Sequence, residues 1–116
     1  LLVLVLAAPA WAQRGGCGLG LGLQAMTRAD QVLAAEPAGL GAGREQAVAA
    51  VAALSEARER LLGCGCRRVA EQVAEASGIA EAARSTADVP GLRRGLERAR
   101  YALGLARERV GREGCA

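Results

Sequence analysis

Gly63-Cys64-Gly65-Cys66 stands near the middle of a 116-residue chain, and the other two cysteines, Cys17 and Cys115, lie almost equally far to either side. The segments flanking this stretch set the fold. Before it, Val48, Val51, Leu54, Leu61 and Leu62 fall at the steps of an amphipathic helix. The spacing predicts a helix over about 44–62, with Gly63 at the C′ position that ends it. Arg58 falls close to that stripe and is expected to snorkel outward. After the stretch, Cys66, Val69, Val73, Ala76, Ala80 and Ala83 alternate steps of three and four. That is a heptad seam, mostly alanine, on a helix over about 66–84. Gly78 inside it costs about 1 kcal/mol relative to alanine, which leaves room for some local fraying.

Two more helices complete the pattern. One is predicted over 21–36, carrying Leu23, Met26, Ala29 and Leu33; Pro37 and the Gly39–Gly43 loop end it. The other is predicted over 90–112, with Leu92, Leu96, Ala99, Leu103, Ala106 and Val110 on one face. Asp88 is placed to cap it, with Pro90 in its first turn. Long β-branched runs and hairpin-bounded alternation are missing, so no strand is expected. The expectation is an all-α, four-helix up-down bundle.

Parity then places the cysteines. The helix over 44–62 carries the chain roughly 28 Å from one end to the other. Cys17 precedes the first helix, Cys64 and Cys66 lie between the second and third, and Cys115 follows the fourth. All four are expected at one end of the bundle. A Cys64–Cys66 bridge would close a very small ring, which leaves two pairings. Cys17–Cys64 with Cys66–Cys115 is preferred, because each bridge then closes one hairpin; Cys17–Cys66 with Cys64–Cys115 is the alternative.

The two hairpins look alike in sequence. At an offset of 49 residues, Cys17 falls on Cys66, and Ala53 to Leu61 falls on Ala102 to Val110. Both segments read A-L-x-x-A-R-E-R followed by a branched apolar residue. The expectation is an internal duplication giving two similar helical hairpins.

Leu1 to Ala8 is apolar, and Ala10 and Ala12 stand three residues and one residue before the Ala12–Gln13 bond. This is the pattern of a secretory signal peptide over 1–12, without an initiator Met. It would leave a single disulfide-stapled domain over 13–116, secreted or periplasmic, with no stable membrane span after cleavage. Twenty-seven alanines, no Phe and a single Tyr make a core with little apolar area per residue. Such a small domain needs staples, and four cysteines in an exported chain are suited to the task.

Other uses of these cysteines are possible in principle. Cys17, Cys64, Cys66 and Cys115 converging as thiolates would suit Zn²⁺ or Cu(I). Cys64 and Cys66 alone would suit a thiol–disulfide protein. Disulfides are favoured in an exporting context, so no metal and no cofactor is expected.

The net charge is +3 and every basic side chain is arginine. Arg93, Arg100 and Arg107 are seven apart and line one edge of the last helix, either as a solvated, ion-paired flank or as a surface for an anionic partner. Nucleic acid is not expected as that partner, since stacking aromatics are missing. Histidine is absent, Glu71 and Glu75 share a helix face as surface glutamates do, and Ser55 and Ser77 have no visible base. No catalytic residues are assigned. The expected function is non-enzymatic binding or structural association with a protein or an anionic envelope component, and a shallow Ala/Leu bundle also allows a homodimer.

Overall fold

The computed structural model describes residues 15–115. The proposed signal segment over 1–12 lies outside those residues. A short 3-10 turn, Gly15–Cys17, leads into four helices: α1 Leu19–Ala34, α2 Leu40–Gly63, α3 Arg67–Ala83 and α4 Val89–Glu113. No strand occurs among the described residues. Consecutive helices pack against each other, and α1 meets α4 along a shorter seam that closes the bundle. α2 also touches α4 across the diagonal.

The buried faces explain the order. α3 buries Val69, Ala70, Val73, Ala76, Ala80 and Ala83, and Cys66 at its N-cap is 1% exposed. α4 buries Leu92, Leu96, Ala99, Leu103 and Ala106, as its period requires, while Val110 is only half-buried. Twelve of the twenty-two buried core residues are alanine, so side chains interdigitate shallowly and helix axes approach closely.

Two expectations need correction. The stripe of α2 is Gly43, Ala47, Ala50, Leu54, Ala57 and Leu61; Val48 and Leu62 are exposed and Val51 is only half-buried. The small residues win because they face neighbouring backbones, where a valine would hold the axes apart. α1 likewise leaves Leu23 exposed while burying Met26, Ala29 and Leu33. Second, α2 begins at Leu40, so Gly41 and Gly43 are helical and not loop. Glycine suits position 43: a Cβ would stand 2.0 Å from Cδ2 of the buried Leu92, which would have to shift, and 3.3 Å from Pro37 Cβ. α3 runs unbroken through Gly78, as the predicted helix over about 66–84 has it.

The turn after α2 also differs from expectation. Gly63 is still helical, and Gly65, at φ 77°, takes the left-handed position. Cys66 N–H donates to Leu61 O at 2.9 Å and Gly65 N–H to Leu62 O at 3.0 Å. These are the two bonds of a Schellman motif, and its usual apolar contact falls to the buried pair Cys66 and Leu61. The motif turns the chain directly into α3.

At the other end the connections are held by side chains. Gln46 Nε2 donates to Val32 O at 2.6 Å and Ala35 O at 2.7 Å, satisfying carbonyls at the end of α1. Asp88 caps α4, accepting from Gly91 N–H at 2.7 Å.

The two hairpins correspond in part. At the 49-residue offset α2 and α4 start together, and the buried set of α2 maps onto Leu92, Leu96, Ala99, Leu103, Ala106 and Val110 of α4. α1 and α3 do not share that register. Gly22, Met26, Ala29 and Leu33 of α1 instead match Val69, Val73, Ala76 and Ala80 of α3 at an offset of 47.

Candidate functional site

The four cysteines meet at the α2–α3 turn. Cys17 is bonded to Cys64 and Cys66 to Cys115, with Cα–Cα distances of 5.0 Å and 4.5 Å. Since Cys64 and Cys66 are two residues apart, the bridges bring the start of α1 and the end of α4 to one turn. The Schellman geometry sends the two sulfurs to different partners: Cys64 is half-buried as the C-cap of α2, and Cys66 points into the core. No free thiol remains. Neither a thiolate metal site nor a Cys64–Cys66 redox pair exists in this covalent state. Among the described residues, no cluster of three metal-ligating side chains occurs.

The edge formed by Arg93, Arg100 and Arg107 lies on the α1–α4 seam. Arg93 Nη2 is 2.6 Å from Glu36 Oε1. Arg100 Nε and Arg107 Nη1 are 3.0 Å and 3.4 Å from the two oxygens of Asp30. All three cations have carboxylate partners within the chain and remain partly exposed. Arg28 and Glu56 form a similar pair across α1 and α2.

A second face of α4 carries features that the sequence reading passed over. Arg94, Arg98, Tyr101 and Leu105 step by four, three and four and line pockets shared with α3. Gly78 and Ile79 of α3 join Gly95, Arg94 and Arg98 to line a groove of about 540 Å³. α3 and α4 approach closely beside it, since a Cβ at Gly95 would stand 2.7 Å from Ala83 Cβ. Tyr101 is 72% exposed and Leu105 continues the apolar strip. Arg94 and Arg98 have no ion pair among the described residues. The spacing of that second stripe was the available signal.

The cysteine end carries another group of unpaired cations. Arg60 lies against Gly18 at the start of α1, Arg67 and Arg68 occupy the first turn of α3, and Arg112 closes α4. None of the four has an ion pair among the described residues. The carboxylates Glu71 and Glu75 line a shallow cleft with Arg68, Gln72 and Arg109, and no nucleophile stands among them. No described helix is long and apolar enough to cross a membrane. No protein-family model matches this chain, and comparison with curated proteins and with solved structures finds no match.

Proposed function

We propose that this chain is a small exported helical scaffold that acts by binding or structural association and not by catalysis. The observation that carries the reading is the pair of bridges tying both ends of the bundle to its central turn. Disulfides of this kind persist in oxidising compartments, and small domains with thin cores depend on them. The signal-like segment over 1–12 agrees with a secreted or periplasmic location. Each cysteine serves a hairpin, and the exposed faces present arginine, leucine and tyrosine in place of a polar catalytic cluster. An internal duplication of the hairpin accounts for the shared register of α2 and α4, with α1 having slipped by two residues relative to α3.

Mass spectrometry of non-reduced digests of protein taken from the exported fraction tests this reading. The expected result is two linked peptide pairs, Cys17–Cys64 and Cys66–Cys115, and a chain that begins at Gln13. Four free thiols in the native protein, or retention in the cytoplasm, would overturn it.

A further inference from the structure

The charge of this protein is sorted along the bundle axis. The cysteine end, residues 58–72 and 109–115, carries six arginines against three glutamates. The opposite end, residues 33–46 and 79–95, carries four arginines against four carboxylates. The waist between them carries four arginines against five carboxylates. One end is thus net positive by three, the other neutral and the waist net negative by one.

That positive end is not explained by internal pairing. Arg58, Arg60, Arg67, Arg68 and Arg112 are exposed and have no ion pair among the described residues; only Arg109 is matched, with Glu113 at 3.3 Å. Helix dipoles favour Arg60 and Arg112, in the last turns of α2 and α4, but not Arg67 and Arg68, which sit in the first turn of α3, where the dipole favours carboxylates and no acidic residue stands.

Exposed leucines gather at the same place. Of the six large apolar side chains exposed among the described residues, Leu21, Leu23 and Leu62 lie within about two turns of the cysteine end. None lies within two turns of the opposite end, where Val48 is the nearest.

We infer that the cysteine end is a docking surface for an anionic lipid bilayer, which orients the bundle with its long axis away from the membrane. This rests on the reading of the chain as an exported binding scaffold and names its partner. Arginines within a Debye length of the surface, about 8 Å at physiological ionic strength, draw the end toward negative headgroups. Leu21 and Leu62 then enter the headgroup boundary, as apolar side chains of interfacial elements do. The waist and the opposite end carry no net positive charge, so the same surface favours end-on contact over side-on contact. The bridges make the surface rigid, because they hold all three segments that compose it.

The test is co-sedimentation of the oxidised protein with vesicles of phosphatidylcholine alone or with 30 mol% phosphatidylglycerol (about a third anionic lipid, enough for a negative surface). Binding is expected only to the anionic vesicles and is expected to weaken as salt rises. Arg67→Gln with Arg68→Gln is expected to reduce partitioning roughly 30-fold, from about 1 kcal/mol per arginine near the surface. Arg93→Gln with Arg100→Gln removes the same charge from the α1–α4 seam and is expected to leave partitioning within about 3-fold. Far-UV circular dichroism shows whether each variant is folded. If a variant misfolds, Leu62→Ser supplies the second measurement, with loss of the salt-resistant part of binding expected. No preference for anionic vesicles, or equal losses from the two arginine pairs, would overturn the proposal. Binding to soluble polyphosphate as tightly as to vesicles would assign the surface to a polyanion and overturn it equally. Any of those failures leaves the exported, disulfide-linked scaffold standing, because that is judged separately by its peptide pairs.

Discussion

Removing the bridges one at a time measures how far this fold rests on covalent constraint. The variants are Cys17→Ala with Cys64→Ala, Cys66→Ala with Cys115→Ala, and all four together. The bridges close loops with sequence separations of 47 and 49 residues. In the chain-entropy account each lowers the freedom of the unfolded chain by about 4 kcal/mol. The two loops share no residue, so their contributions should add to about 8 kcal/mol. That is comparable to the whole stability of a domain of this size, about 5–15 kcal/mol. The second bridge should cost more than the first by about 1 kcal/mol, because Cys66 is 1% exposed and its sulfur fills core space. Urea denaturation followed by circular dichroism reads the result. With a slope of about 1.5 kcal/mol per molar, each single removal should lower the midpoint by about 2–3 M. The four-alanine chain should be largely unfolded without denaturant. A midpoint shift below about 0.5 M for either single removal would refute the reasoning, since helix packing would then suffice. A quadruple variant no less stable than the doubles would refute the additivity.

Three further measurements test the packing. Gly104→Ala, where a Cβ meets nothing within 4 Å, should stabilise by about 1 kcal/mol and raise Tm by about 4–8 °C. Gly95→Ala should bring no gain or a loss of up to about 2 kcal/mol, because the new methyl overpacks against Ala83; an equal rise for both would show that α3 and α4 do not approach as described. Asp88→Ala deletes the cap on Gly91 N–H and should cost about 1 kcal/mol in a denaturant titration, with Asp88→Asn losing less. Asp30→Asn weakens the pairs with Arg100 and Arg107 and should cost less than about 1 kcal/mol, a loss that shrinks when the titration is repeated in 1 M salt.

The sequence made some elements legible and hid others for identifiable reasons. The seam of α3 could be read residue by residue because α2 and α4 flank it and its apolar period has no competitor. In α2 the reading chose Val48 and Leu62 over Ala47 and Ala50, because hydropathy ranks valine and leucine above alanine. Packing ranks them differently where axes nearly touch. The start of α2 was obscured by Gly39, Gly41 and Gly43, which signal a turn in sequence. Only the close approach of Leu92 shows why a helix would carry glycine there. Gly63 and Gly65 both suit a helix end, and the choice between them is made by hydrogen bonds reaching back to Leu61 and Leu62. The basic edge was visible as a seven-residue period, but its carboxylate partners lie on α1 and the loop after it, far off in sequence. The cysteine-end arginines are scattered over 58–112 and become one surface only through the turn and the bridges.

Charge and covalency are placed together for a physical reason. Six arginines at one end repel each other, and an end held by packing alone would splay under that load, the more so with alanine at the seams. The bridges attach the start of α1 and the end of α4 to the turn in the middle, so repulsion there cannot separate the helices. The opposite end has no such bond, and its charge is balanced four against four. It relies on the cap of Asp88, on Gln46 reaching back to the end of α1, and on Arg44 Nη2 donating to Thr86 O at 3.2 Å across the two loops. An unbalanced surface costs folding free energy wherever it stands. This chain confines that cost to the end where covalent bonds offset it, and that is also where exposed leucines and unpaired arginines face outward.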